Sequence, residues 1–387
     1  MPEPTTPREI LAKLVSFPTV SRDSNLDLVD WVEAWLARHG IASERVWNAE
    51  RSKAALFAHV GPELAGGVVL SGHSDVVPVD GQDWRSDPFV LTERDGRLYG
   101  RGAVDMKGFD ALALWAMAEA ARGGLKRPLQ LALSYDEEVG CTGAPPMIDA
   151  MAQRLPKAAA VLVGEPSMMQ VVTGHKGSIG FATHIRGFEV HSSILHTGVS
   201  AIHEAGKLIS WANEINAANR AAPPGPLAAV FEPPWTTLHI GQIAGGTAHN
   251  IAAGDCRFGF DFRVVPGEDM ADWEARYRAR VAEVEREMKA VRSEAGITLR
   301  RYFHVPALEP ETDGAAEALA RRLTGDNGRH VVSYGTEAGQ FQERGFSAVV
   351  CGPGNIAQAH QPDEYITLAQ FEAGHAMMRR LLAELRD

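Results

Sequence analysis

The rhythm of the chain restricts its fold more than any other feature. Short apolar runs of strand type, at 54–60, 67–70, 129–133 and 158–163, are separated in places by helical stretches, notably 106–121 and 144–155. Strands alternating with helices predict an α/β sheet with helices on its faces. Two helices are marked before the first strand. One opens at Thr6, a hydroxyl cap followed by Pro7 in the first helical position, and runs towards Phe17-Pro18. The other covers 24–39 and stops at Gly40, with Leu28, Trp31, Val32, Trp35 and Leu36 spaced along one face.

From about Lys176 the rhythm changes. A strand at 180–185 and an amphipathic helix at 201–218 lead into a loop rich in proline (Pro223, Pro224, Pro226, Pro233, Pro234). Strands at 237–243 and 256–264, a long charged helix at 269–293 and a strand at 297–302 follow. That β-α-β-β-α-β order belongs to a small two-layer α+β domain of ferredoxin-like type. After Glu309 the α/β pattern resumes, with a helix from Asp313, strands at Val331 and 347–350, and a last helix over 367–385. At 387 residues the chain has room for two domains. The expected organisation is one α/β domain in two pieces, 1–176 and 304–387, with the α+β domain 177–303 inserted between them.

Charge excludes some partners. Lys and Arg total 38 against 49 Asp and Glu, a net charge of −11, which disfavours nonspecific nucleic-acid or anionic-membrane binding. Cys141, Cys256 and Cys351 lie far apart, without the spacing of a thiolate zinc site or a disulfide framework. The opening segment, Met1 to Pro7, has neither the basic nor the apolar region of a secretory signal. The longest apolar stretch, 111–121, contains Glu119 and is too short to span a bilayer. The expected location is the cytoplasm.

Five acidic or histidine clusters sit at strand ends or in the loops after them, where open α/β sheets place ligands. They are Ser71-Gly72-His73-Ser74-Asp75, the Asp105 segment Gly100-Arg101-Gly102-Ala103-Val104-Asp105-Met106-Lys107-Gly108, Tyr135-Asp136-Glu137-Glu138, Gly164-Glu165-Pro166, and His360 in Gln358-Ala359-His360-Gln361-Pro362-Asp363-Glu364. Each alone has a bland explanation: a helix cap, a surface acid, a structural histidine. Together they form an imidazole and carboxylate inventory suited to two divalent ions such as zinc, cobalt or manganese. Asp75, two residues from His73 on an extended segment, is placed to hold that ring.

These segments, with Gly245-Gly246-Thr247-Ala248-His249-Asn250, resemble the two-zinc amidohydrolases and exopeptidases grouped with aminoacylase, glutamate carboxypeptidase and succinyl-diaminopimelate desuccinylase. Within that group the chain looks most like the acetylornithine deacetylase branch. That likeness rests on Tyr135 to Cys141, Gly335-Thr336-Glu337-Ala338, and Cys351-Gly352-Pro353-Gly354 leading to Tyr365. The desuccinylase branch usually has Ser-Asp where Glu337-Ala338 stands here. The resemblance implies a mixed-sheet, zinc-exopeptidase-like catalytic domain and an inserted lid and dimerisation domain. It implies two divalent ions, zinc or alternatively cobalt, bridged by Asp105, with His73 and Glu165 completing one site and Glu138 and His360 the other. Glu137 matches the general base, and Asp75 the partner of His73. His191 matches the lid histidine that serves the neighbouring subunit of a homodimer, with His196 close enough in sequence to compete. Asn250 and Arg263 match lid residues associated with the substrate carboxylate, and a carboxylate at Glu337 either favours a cationic side chain or simply starts a helix without touching substrate. The implied substrate is a small N-acyl amino acid, N2-acetyl-L-ornithine before N-succinyl-diaminopimelate, another N-acyl amino acid or a dipeptide.

Two other chemistries compete poorly. Gly352 to Ala357 formally matches GxGxxA, but it lies near the C-terminus, and Pro362 interrupts the helix such a fingerprint should open. No GxSxG supports a serine hydrolase.

Overall fold

A computed structural model describes residues 5–387, so Met1 to Pro4 of the opening segment lie outside the described residues. Two compact units are present: one runs to Gly174 and includes Pro310–Val331 and Thr336–Asp387, and the other comprises His175–Glu309 and Val332–Gly335.

The first unit is built on an eight-stranded mixed sheet. Its spatial order is Ser43–Trp47, Ala54–Val60, Leu129–Ser134, Val68–His73, Ala160–Pro166, Ala348–Gly352, Val172–His175 and His330–Val332. The four central strands, from Leu129–Ser134 to Ala348–Gly352, run parallel to their neighbours in that group. Every residue of Val68–His73, Leu129–Ser134 and Ala160–Pro166 is buried, as expected of parallel strands covered on both faces. The helix Lys107–Ala121 packs on all three of these strands and against the helices Pro7–Val15 and Leu368–Arg386. Its close approach needs Gly164: a Cβ there would lie 2.0–2.3 Å from ring carbons of Phe109. A small sheet of Thr92–Arg94, Arg97–Tyr99 and Tyr365–Thr367 ties the segment before Asp105 to the segment after His360.

The second unit is an antiparallel sheet in the order Thr237–His239, Asp255–Val264, Gly177–Arg186, Gly296–Val305, with Ile243–Gly245 also paired to Asp255–Val264. Burial alternates along Asp255–Val264, so Phe258, Phe260 and Phe262 point inward, the last two against Tyr277 of the helix Met270–Val291. The helix Ala201–Ala221 packs on the same sheet. The strand expected over 237–243 is two pieces. Between the pairs His239↔Asp261 and Ile243↔Phe258, three residues face two, a bulge at Gly241. The unit is also longer than 177–303, because the Gly296–Val305 ladder continues to Val305↔Ser178.

Candidate metal centre

Parallel register sets the site. His73 pairs with Ser134, so the Tyr135 to Glu138 turn begins beside it, and Glu165 ends the strand on its other side. Asp105 precedes the helix Lys107–Ala121, and His360 follows the helical turn Ile356–Gln358. Asp136, Cys141 and His360 adopt left-handed φ angles of 58°, 54° and 63°, a local cost that tends to persist where a function holds it.

Asp105 stands between the two imidazoles. Its Oδ1 is 3.2 Å from His73 Nε2 and its Oδ2 is 3.2 Å from His360 Nε2. Glu165 Oε1 lies 3.6 Å from His73 Nε2, and Glu138 Oε2 lies 3.0 Å from His360 Nε2. Two trios thus share one buried carboxylate. Glu137 is close as well: ligand atoms of His73, Glu137 and Glu165 lie within 4.8 Å of one another, as do those of His73, Asp105 and Glu138.

The electrostatics show a pocket short of positive charge. Burial opposes the charged form of His73, yet hydrogen bonds to Asp105 and Asp75 and the charges of Glu165 and Glu137 outweigh it and hold the ring protonated well above the usual imidazole range. Hydrogen bonds to Asp105 and Glu138 push His360 up to about 10. Burial, then neighbouring carboxylates, push Glu137 and Glu165 well above the usual carboxylate range, and Glu138 up to about 7. Burial opposes ionisation of Asp105 too, but the two imidazoles hold its carboxyl well below that range. Glu138 Oε1 is buried without a hydrogen-bond partner. Imidazole nitrogens and carboxylate oxygens around an orphaned acceptor fit two divalent cations sharing Asp105.

Asp75 does more than hold a ring. His73 Nδ1 bonds the backbone carbonyl of Asp75 at 3.0 Å, while the Asp75 carboxylate is 3.6 Å from that nitrogen. The carboxylate accepts from Ser21 Oγ at 2.7 Å and from the N–H groups of Glu137 at 3.2 Å and Glu138 at 3.3 Å. It therefore shapes the turn that carries both glutamates. Cys141 Sγ donates to Glu137 Oε1 at 3.4 Å.

Glu337 is enclosed beside the centre. It opens the helix Ala338–Glu343, is 1 % exposed, and accepts from Ser134 Oγ and, at 3.4 Å, from Ser71 Oγ. Burial raises its carboxyl to about 7. The carboxyl expected to favour a cationic substrate group is thus as enclosed as His73, and its charge acts on Glu137 and is felt by His73.

The other expected residues belong to the second unit. His191 is exposed; its Nδ1 accepts from Ser193 N–H at 3.2 Å and lies 2.7 Å from Ser193 Oγ, which leaves the proton on Nε2. His196 is exposed on the same helical turn. Asn250 neighbours His191, since Ser192 N–H donates to its carbonyl at 2.9 Å and His191 bridges Ile251. Arg263 lies at the opposite end of Asp255–Val264, bonded to Asp261 at 3.0 Å. Arg263 stands eight residues from Asp255 along that strand, roughly 26 Å at ~3.3 Å per residue, and Asn250 lies beyond the Asp255 end, beside His191.

Three residues the sequence left without a role stand behind the centre: Gln82, Arg101 and Glu364. The signal was the presence of Arg101 and Glu364 inside the Asp105 and His360 motifs, but only burial shows that both charges are enclosed.

A family model described as peptidase family M20/M25/M40 matches residues 69–384. An acetylornithine deacetylase of Myxococcus xanthus is 36 % identical over 388 residues, covering 97 % of this chain and 96 % of the relative. One from Pasteurella multocida is 31 % identical, covering 97 % of each. An M20 metallo-carboxypeptidase from Sulfolobus solfataricus, 17 % identical, shares the fold with a TM-score of 0.79 over 98 % of this chain and 99 % of its own. Match length, identity and the geometry above agree: the chain belongs to the M20/M25/M40 peptidase family.

Proposed function

We propose that this chain hydrolyses the amide bond of an N-acyl amino acid, N2-acetyl-L-ornithine first among them, with two divalent metal ions, zinc by preference and cobalt as a substitute. The observation that carries the metal chemistry is Asp105, buried with one oxygen on each imidazole and flanked by Glu165 and Glu138. The choice of substrate is supported by the deacetylase relatives.

His73, Asp105 and Glu165 would hold one ion, and His360, Asp105 and Glu138 the other. Such ions lower the pKa of water from about 15.7 towards ~7 and polarise a carbonyl. Glu137 moves the protons. It is half-buried, accepts the Cys141 thiol on Oε1, and takes a proton from the attacking water and returns it to the leaving nitrogen. Asp75 keeps Glu137 and Glu138 on separate tasks by fixing their backbone. His191 offers Nε2–H to the developing oxyanion, a contribution of roughly 3 kcal/mol in comparable sites. Arg263 offers a planar fork to the substrate carboxylate.

The inserted unit acts as a lid in this reading. His191 and Asn250 share one of its ends and Arg263 the other; in this reading His191, with Asn250 beside it, serves the partner subunit of a two-fold homodimer. Cys141, Cys256 and Cys351 are free and buried, in keeping with work in the reducing cytoplasm. No helix among the described residues is long and apolar enough to cross a membrane.

Hydrolysis of N-acetyl-L-ornithine and N-succinyl-diaminopimelate by the zinc-loaded protein tests the substrate. A higher kcat/KM for the first supports the proposal; the reverse order assigns the chain to desuccinylation.

A further inference from the structure

Behind the Asp105 and His360 loops lies an ion pair withdrawn from water. Arg101 and Glu364 are each 1 % exposed, with Nη1 2.6 Å from Oε2. The other oxygen of Glu364 accepts the backbone N–H groups of Val104 at 3.0 Å and Asp105 at 3.2 Å. The second guanidinium nitrogen, Nη2, donates to Gln82 Oε1 at 2.6 Å, and that oxygen also accepts from Trp84 Nε1 at 3.0 Å. Gln82 then turns its Nε2 to the carbonyl of His360, at 2.9 Å. A continuous chain of hydrogen bonds thus runs from the backbone of Asp105 through Glu364, Arg101 and Gln82 to the backbone of His360.

The two trios are supported differently. His73 and Glu165 sit at the ends of strands locked into the central ladder. His360 sits in a loop, in a left-handed conformation, with its side chain half-exposed. Groups that orient metal ligands from behind typically govern affinity by ~10–100-fold. We propose that Gln82, Arg101 and Glu364 are positioning residues that set the separation of Asp105 from His360, and that Gln82, through its bond to the His360 carbonyl, governs loading of the second cation, the one held by His360 and Glu138, while leaving the first unaffected. The inference rests on the two-metal reading of the centre.

Gln82 provides the test, because it is only partly buried and replacing it does not strand the Arg101–Glu364 pair. Metal-free wild type, Gln82→Ala and Gln82→Glu are titrated with cobalt(II), followed by visible absorption and calorimetry, with thermal unfolding of the metal-free proteins alongside. Gln82→Glu keeps an acceptor for Arg101 and Trp84 but removes the donor to His360. The expected result is two equivalents in wild type, a second equivalent weakened by at least ~10-fold in both variants, an unchanged first equivalent and an unchanged unfolding midpoint. Wild-type binding of both equivalents by either variant overturns the clamp while the two-metal reading stands. So does equal weakening of both equivalents, which would mark a general structural role. Fewer than two equivalents in wild type overturns the two-metal reading, and the clamp with it.

Discussion

Asp75 spends its carboxylate on the N–H groups of two consecutive residues, and neighbouring glutamates on such a turn face different partners. Glu138 reaches His360 at 3.0 Å, whereas Glu137 receives the Cys141 thiol. If Glu137 handles protons, Glu137→Gln retains both metals and loses about 10²–10⁴ in kcat, the usual worth of an acid–base group. Glu138→Gln loses affinity for one of the two metals instead. Elemental analysis beside the rate separates the two; equal metal loss in both variants would show that Glu137 is also a ligand, as its nearness to His73 and Glu165 permits. At this scale the sequence tells which chemical types lie near strand ends, so the meeting of His73, Asp105, Glu138, Glu165 and His360 was legible. Enclosure was not. Glu337 reads in sequence either as an acid open to substrate or as a helix-start residue, and only the packing of Ser71 and Ser134 against it shows that it is enclosed.

The elements were readable wherever the local chemistry is strong. Thr6 caps the first helix as expected, and Glu9 completes a reciprocal box: Glu9 N–H donates to Thr6 Oγ1 at 3.3 Å, and Glu9 Oε2 accepts from Thr6 N–H at 3.0 Å. Backbone hydrogen bonds from Thr6 and Thr5 lower the Glu9 carboxyl from 4.5 to about 2. A carboxyl depressed on folding stabilises fully above its unfolded pKa and loses that contribution as pH falls through its folded one. Glu9→Gln is therefore expected to unfold at a lower temperature than wild type at pH 7. The difference should shrink as pH drops from about 4.5 towards about 2. A difference independent of pH would mean that the cap does not depend on the charge. Less legible was the 237–245 region. The apolar pattern runs through Gly241 as if through one strand, and the bulge becomes visible only from its register against Asp255–Val264.

For the whole molecule, the β-α-β-β-α-β order within an interrupted α/β pattern revealed two units, because periodicity is a local property that survives insertion. How their residues combine was harder to read. Asn250 and Arg263 are 13 positions apart in a sequence that gives no hint of their opposite ends. The two-copy arrangement is tested by mixing His191→Ala with Glu137→Gln under subunit exchange. If His191 crosses, half of the dimers are mixed and each has one complete site, so activity recovers to about a quarter of wild type. If it serves its own chain, activity stays at background.

The most direct test of the central claim is metal reconstitution. The chain is stripped of metal, verified by elemental analysis, and assayed for N-acetyl-L-ornithine hydrolysis as zinc is added. Two cations around Asp105 predict no hydrolysis at the start and a rise that saturates near two equivalents per chain. Full turnover by the verified metal-free protein would contradict it.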